Sequence, residues 1–202
     1  RMFDHADPAI DTAPIIGQLQ VLRGDPPLEI PRFHAPRKLD ELVAQGLDLS
    51  RAAFGDGAIP IVAATPALGR YCAFGNLFAR SGTDGNVHRI DRHPIMSVHP
   101  VTPMHEADLA RHLGAQTAMP IAGFTLPQFA LDRSTMGRAL RQGVDDTSSG
   151  AGLLDGTTVE HLTETGRLLD SLATGRKTPL FCIGGSGLEY GLTQWWRENG
   201  AL

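Results

Sequence analysis

The sequence predicts an α/β fold of three layers, with a mainly parallel, Rossmann-like sheet covered by helices. Three observations predict it. Ile59–Thr65 is a short run of β-branched and small apolar residues closed by Pro66, the pattern of a strand buried on both faces. Thr178–Ile183 is a second apolar run, read as a central strand, and it enters Gly184-Gly185-Ser186-Gly187 and then a helix over Leu188–Asn199. Between these two units, helical spacings alternate with strand-like runs. Strands separated by helices need crossover connections, and those favour parallel pairing.

The elements follow in order. The stretch to residue 57 is poorly patterned, because Asp25-Pro26-Pro27, Pro31 and Pro36 interrupt any regular element. Within it only Lys38–Gln45, with Leu39, Leu42 and Val43 at helical spacing and Gly46 behind them, reads as a short helix. Tyr71–Ala79 reads as an extended piece interrupted by Gly75, and Ser81–Pro103 as a long loop rich in Gly, Asp, His and Pro. Thr102-Pro103 open a helix over Glu106–Gln116 with Leu109 and Leu113 on one face. A further helix is expected over Leu126–Gln142, with Pro127 tolerated in its first turn. Ala151–Asp155 reads as a strand, and Thr157 or Thr158 caps a helix with Glu160 in its first turn and Leu162, Leu168 and Leu169 apolar. The last helix carries Leu188, Leu192, Trp195 and Trp196 and stops at Gly200; its tryptophans are candidates for an interdomain surface or for one ring in the core and one covering it. No repeat divides the chain, so residues 1–202 are read as one domain.

Composition narrows the function. With 202 residues, 42% of them hydrophobic, the chain is long enough for a substantial core and is neither disordered nor fibrous. A net charge of −4 argues against non-specific nucleic-acid binding, which needs clustered positive charge. Two cysteines, Cys72 and Cys182, make no disulfide framework and suggest a reducing compartment. No apolar run approaches the ~20 residues of a membrane helix and the first residues lack a signal-peptide pattern, so a cytoplasmic setting without membrane contact is expected. Arginine supplies 16 of the 18 basic residues, a bias that genome composition explains more readily than anion binding.

Several groups could carry chemistry. The strand–glycine turn–helix unit around Gly184, Gly185, Ser186 and Gly187 would bring backbone donors to a ligand at a strand's carboxyl end. It lacks the third glycine of a dinucleotide fingerprint, the Lys of a phosphate loop and the closing glycine of a nucleophile elbow. A hydrolase built on Ser186 is therefore weakly supported, and a tight packing turn is its bland alternative. Arg70, after Pro66-Ala67-Leu68-Gly69, could grip a carboxylate with its planar fork, or simply be a surface residue after a turn. His93, His99 and His105 lie in a Pro-rich stretch with no compact metal-ligand spacing, and His105 and His112 would share a helix face only as solvated side chains; no metal site is expected. Asp145-Asp146-Thr147 reads as polar loop rather than a cation site.

Taken in order, these pieces resemble the N-terminal sugar-binding domain of the four-carbon acid sugar kinases, formerly a domain of unknown function. The matching runs are Ile10-Asp11-Thr12-Ala13-Pro14-Ile15-Ile16-Gly17, Pro66–Arg70, Phe74-Gly75-Asn76-Leu77-Phe78 and His99-Pro100-Val101-Thr102-Pro103-Met104. They continue with Leu154-Asp155, Glu160-His161-Leu162 and Gly184–Leu192, and cover about three quarters of the chain. The resemblance implies an ATP-dependent kinase acting on threonate, erythronate or related oxo-acids, with ATP and Mg bound mainly by sequence beyond this chain. It places Asp11, Arg70, His99, Gly184, Gly185, Ser186 and Gly187 around the substrate. Arg70 would neutralise the carboxylate, the glycine turn would supply backbone donors, and Asp11 or His99 would bond hydroxyls, with Asp11 a weak stand-in for the general base. The family's opening Asp-Asp-x-Thr-Gly motif is not matched, Val21–Leu47 fits poorly, and no nucleotide domain follows Trp195-Trp196, so the resemblance implies an incomplete chain, inactive in isolation. A small sugar acid is the expected partner, and a homodimer is compatible with the sequence. The competing reading is a non-catalytic module that recognises a small hydroxy acid.

Overall fold

Four short strands pair side by side and in parallel, and the order in which they do so determines where every loop of interest emerges. The structure is a computed structural model that describes residues 59–83, 85–132, 134, 135, 138, 150–174 and 180–201. Asp11, the helix expected over Lys38–Gln45 and Asp145-Asp146-Thr147 lie outside the described residues.

Strand β1 (Ile59–Val62) is buried at all four positions, as its apolar run requires of a strand covered on both faces. The hairpin β2 (Arg70–Ala73) and β3 (Asn76–Arg80) follows, then β4 (Val87–Arg89), helix α1 (Leu109–Gly114) and β5 (Ile121–Phe124). The chain continues through β6 (Ala151–Leu154), α2 (Val159–Ala173), β7 (Ile183–Gly184) and α3 (Ser186–Glu198). The parallel sheet runs β5-β6-β1-β7, and β2-β3-β4 form a separate antiparallel sheet. Register aligns Ile59 of β1 with Ala151 of β6, and Ile61 with Ile183 of β7. Because β7 joins only from Ile61 onward, Pro60 sits where β1 has β6 alone as a strand neighbour, so its missing N–H leaves no gap on the β7 side.

The α/β class and parallel sheet are those the sequence predicts; several elements differ. The run ending at Ile183 pairs only through Ile183 and Gly184 and lies at one edge of the described sheet, while β1 and β6 hold its interior. The extended piece over 71–79 is a hairpin folded back at Phe74 and Gly75, both with positive φ (51° and 72°). The expected loop over 81–103 holds β4 and two short 3₁₀ turns, Ile90–Arg92 and Met96–Val98. Helix α1 starts late, at Leu109, where Asp108 accepts the Arg111 amide as N-cap, so His105 precedes the helix and shares no helix face with His112. The helix expected over Leu126–Gln142 is interrupted: a 3₁₀ turn over Leu126–Ala130 ends at Leu131, whose backbone is extended, and helical backbone resumes at Ser134, Thr135 and Arg138.

Helices α2 and α3 approach backbone to backbone at Gly166 and Gly191. A Cβ on Gly166 would stand 2.3 Å from the Gly191 carbonyl oxygen, and one on Gly191 would stand 2.2 Å from that of Leu162. Thr158 caps α2 by accepting the His161 amide, and Gly200, at φ 70°, ends α3. The two indole N–H groups, Trp195 and Trp196, both donate to the Asp170 carboxylate of α2, at 3.1 and 3.0 Å. Trp196 also packs against the core formed by Val62, Leu153, Leu154, Leu168 and Leu169. No helix among the described residues is long and apolar enough to cross a membrane.

Candidate functional site

The carboxyl ends of the four parallel strands form one edge, and three connections meet there. Beyond β1, Thr65 pairs with Arg70 across the Pro66–Leu68 turn, which Gly69 closes. Beyond β7, Gly184 and Gly185 lead into α3, and the Gly187 amide donates to Thr65 Oγ1 at 3.1 Å. That approach needs glycine, because a Cβ on Gly187 would lie 1.8 Å from the Ala64 carbonyl oxygen. Gly185 is different: it is exposed, and a Cβ there would meet only Thr65 Oγ1, at 3.9 Å. The Pro66–Arg70 and Gly184–Gly187 turns thus lie side by side, as expected of loops leaving neighbouring parallel strands.

Strand β2 runs across this edge. Arg70 bridges to Thr65 beyond β1, and Cys72 bridges to Gly156 beyond β6. Strand alternation puts Arg70 on the same face of β2 as Cys72. The Arg70 guanidinium is half-buried and forms no ion pair with a described carboxylate, so its charge is not spent inside the fold.

Asp155 anchors the arrangement and is a residue that sequence reasoning missed. It directly follows β6, is 1% exposed, and accepts three backbone amides: Phe74 at 2.6 Å, Gly75 at 2.9 Å and Leu126 at 3.0 Å. The Cys72 thiol also donates to it, at 3.3 Å. Burial, the nearby Asp155 charge and this hydrogen bond hold the Cys72 thiol far above the ordinary thiol range, so it stays protonated and unreactive. Phe74 is the one non-glycine among the described residues with positive φ, a strain of about 1–3 kcal/mol. Hydrogen bonds to a charged acceptor contribute roughly 1.5–3 kcal/mol each, so the Asp155 carboxylate outweighs that strain. In the sequence Asp155 closes an apolar strand and belongs to the matching run Leu154-Asp155, but neither signal gave it a role.

The other sequence candidates separate. Ser186 is the first residue of α3 and lies on the edge. His99 is engaged in its own loop, where its Nδ1 accepts the Thr102 amide at 3.0 Å and the Val101 amide at 3.4 Å, and no described hydrogen bond or ion pair ties it to Arg70 or the glycine turn. His93 is buried and satisfied: Nδ1 accepts the Ile95 and Met96 amides, each at 3.1 Å, which leaves Nε2 to donate to the Arg80 carbonyl at 3.3 Å. Among the described residues no group of three or more His, Cys, Asp or Glu could hold a metal ion.

A family model described as a sugar-binding N-terminal domain matches residues 43–192. The chain belongs to that family. The sugar-binding domain is 42% identical over 144 residues to the 3-oxo-isoapionate kinase of Paraburkholderia graminis, covering 71% of this chain and 29% of that kinase, so it spans less than a third of the relative's length. Among solved structures it resembles a Salmonella typhimurium LT2 protein described as a putative tRNA synthase (TM-score 0.61, 24% identity, 75% of this chain and 33% of that one). It also resembles a Bordetella bronchiseptica domain of unknown function, solved with citrate as a domain-swapped dimer (TM-score 0.53, 20% identity, 77% and 34%). At these identities the two structures establish the fold of the sugar-binding domain, not its ligand.

Proposed function

We propose that this chain is the substrate-binding part of an ATP-dependent kinase for four-carbon acid sugars of the threonate, erythronate or oxo-tetronate type, working in the cytoplasm. The observation that carries the reading is the 42% identity over 144 residues to a 3-oxo-isoapionate kinase. The geometry supports it: one cationic fork without an internal carboxylate partner, beside an exposed glycine turn at the start of a helix, suits a small organic anion.

In this reading Arg70 takes the carboxylate, the Gly185-Ser186 backbone approaches the polyol, and Asp11 and His99 are the remaining candidates for its hydroxyls. The phosphoryl group comes from ATP with Mg, whose chemistry is positioning and charge stabilisation. In this reading the part of the described residues is to bind and orient the acid. The size of the set of hydroxy acids accepted, and whether two chains pair to form the working unit, belong to the same proposal.

The test has two arms. Titration calorimetry on the 202-residue chain with threonate, erythronate and 3-oxo-isoapionate, against citrate as a control acid, should show saturable heat for one of the first three. A coupled ATP assay on the gene product that carries this chain should show turnover with the same acid. Absence of ATP turnover with every tetronate, despite binding, would leave the non-catalytic module as the better description.

A further inference from the structure

We propose that Asp155 is a positioning residue for the binding edge, and that what it positions is the ring of Phe74, presented to the carbon chain of the bound sugar acid. The inference rests on the reading above for the identity of the ligand. Its structural basis is independent of it.

Phe74 is placed at a double disadvantage. Its backbone is left-handed, a conformation that Gly or Asn adopts far more easily, and its side chain is 64% exposed and absent from both hydrophobic clusters. Neither local conformation nor core packing accounts for an aromatic residue there. Strand alternation would direct residue 74 to the buried side of β2 with Cys72; the left-handed backbone instead leaves the ring in the open.

What imposes this conformation is the Asp155 carboxylate, which takes the Phe74 and Gly75 amides together and so fixes the hairpin tip from beneath. The same carboxylate takes the Leu126 amide beyond β5, so the tip is tied to the edge rather than merely folded on itself. Arg70 and Phe74 stand at the two ends of β2, about 13 Å apart at roughly 3.3 Å per residue. In this proposal a short polyhydroxy acid lies between the two residues, its carboxylate toward Arg70 and its C–H surface toward the ring. Ligand sites are commonly lined this way, apolar rings with a few polar anchors.

Phe74→Gly, Asp155→Asn and the double variant of the 202-residue chain decide it, each measured by titration with threonate and erythronate, thermal melting and amide hydrogen exchange. Phe74→Gly should melt at or above the wild-type temperature, because glycine accepts the left-handed backbone, yet bind the acid at least tenfold more weakly. Asp155→Asn should speed exchange at the Phe74, Gly75 and Leu126 amides and weaken binding by a similar factor. The double variant should bind no more weakly than Phe74→Gly alone, since both changes remove one contact. Unchanged affinity in Phe74→Gly, or losses that simply add, would overturn the inference while leaving the functional reading intact. A wild-type chain that binds neither acid overturns the functional reading and the ligand assigned to Phe74 together, a pattern distinct from the first.

Discussion

The Thr65 hydroxyl accepts the Gly187 amide at 3.1 Å, which makes the turns leaving β1 and β7 a single structural unit. Two of its glycines, Gly187 and Gly185, can be separated by experiment. Gly187→Ala would place a methyl group 1.8 Å from the Ala64 carbonyl oxygen, an overlap that only backbone movement can relieve. Overpacking of this kind costs about 1–3 kcal/mol or more, and for a chain of this size melting falls by roughly 2–4 °C per kcal/mol. Gly185→Ala has room, at 3.9 Å from its nearest neighbour, and a φ of −87° that alanine accepts. It should melt within about 1 °C of wild type but, on the proposed function, bind threonate more weakly, because that reading brings the ligand against the Gly185 backbone. Calorimetry and melting on both variants check this, and unaltered binding in Gly185→Ala would remove the glycine turn from the site.

Arg70→Ala is expected to weaken binding of the sugar acid by ten- to a hundredfold, from the roughly 1.5–3 kcal/mol of a hydrogen bond to a charged group. Melting should barely move, because no described carboxylate loses a partner. Titration at low and high salt adds a second reading: the wild-type affinity should fall with salt more steeply than that of the variant.

Much of this edge was legible in the sequence, for physical reasons. The apolar run from Ile59 is a doubly buried strand, Thr158 caps α2, Gly200 ends α3, and Gly184 and Gly187 sit where backbone approaches backbone. What was not legible depends on contacts across long stretches of sequence. Phenylalanine carries no signal for a left-handed backbone, and Phe74 adopts one through a carboxylate 81 residues away. The hairpin lacked the Asn-Gly or Asp-Gly pair that announces such turns. Beyond Leu126, the Thr125 and Gln128 side chains close a capping box on one 3₁₀ turn, and periodicity alone could not show that Leu131 would leave it. Asp155 closed an apolar run and a matching motif without a role of its own, because its three amide partners come from two other segments.

Alkaline pH should expose the Cys72 thiol. Burial, and then its neighbour Asp155, raise the folded thiol well above its ordinary value of 9.0, so the folded chain holds this proton where the unfolded chain releases it. The native state therefore binds more protons above about pH 9, and stability declines there at up to about 1.4 kcal/mol per pH unit from this group. Below pH 9 both states keep the proton and the contribution is fully present. Cys72→Ser retains a donor to Asp155 without a titrating thiol, so denaturant melts from pH 8 to 10.5 should give a shallower decline in the variant. The same slope in both proteins would assign the alkaline loss to other groups.

The two tryptophans are the only ones in the chain, and both donate to Asp170, so intrinsic fluorescence reports this one clamp. Asp170→Ala removes the acceptor of two indole N–H groups at once. Each ring is half-buried, so its N–H can find water in part, and the expected loss is about 1–3 kcal/mol rather than the full cost of two buried orphans. Tryptophan emission should shift to the red as the rings loosen, and the melting temperature should fall by several degrees. The helix crossing gives the contrast needed to interpret it. Gly166→Ala would press a methyl group to within 2.3 Å of the Gly191 carbonyl and force α2 from α3, disturbing both the clamp and the packing beneath it. If Asp170→Ala shifts emission while the circular dichroism of the helices is retained, and Gly166→Ala loses both, the carboxylate orients the rings and the glycines seat the helices. An Asp170→Ala variant with wild-type emission would show that the rings are held by their contact with the core alone.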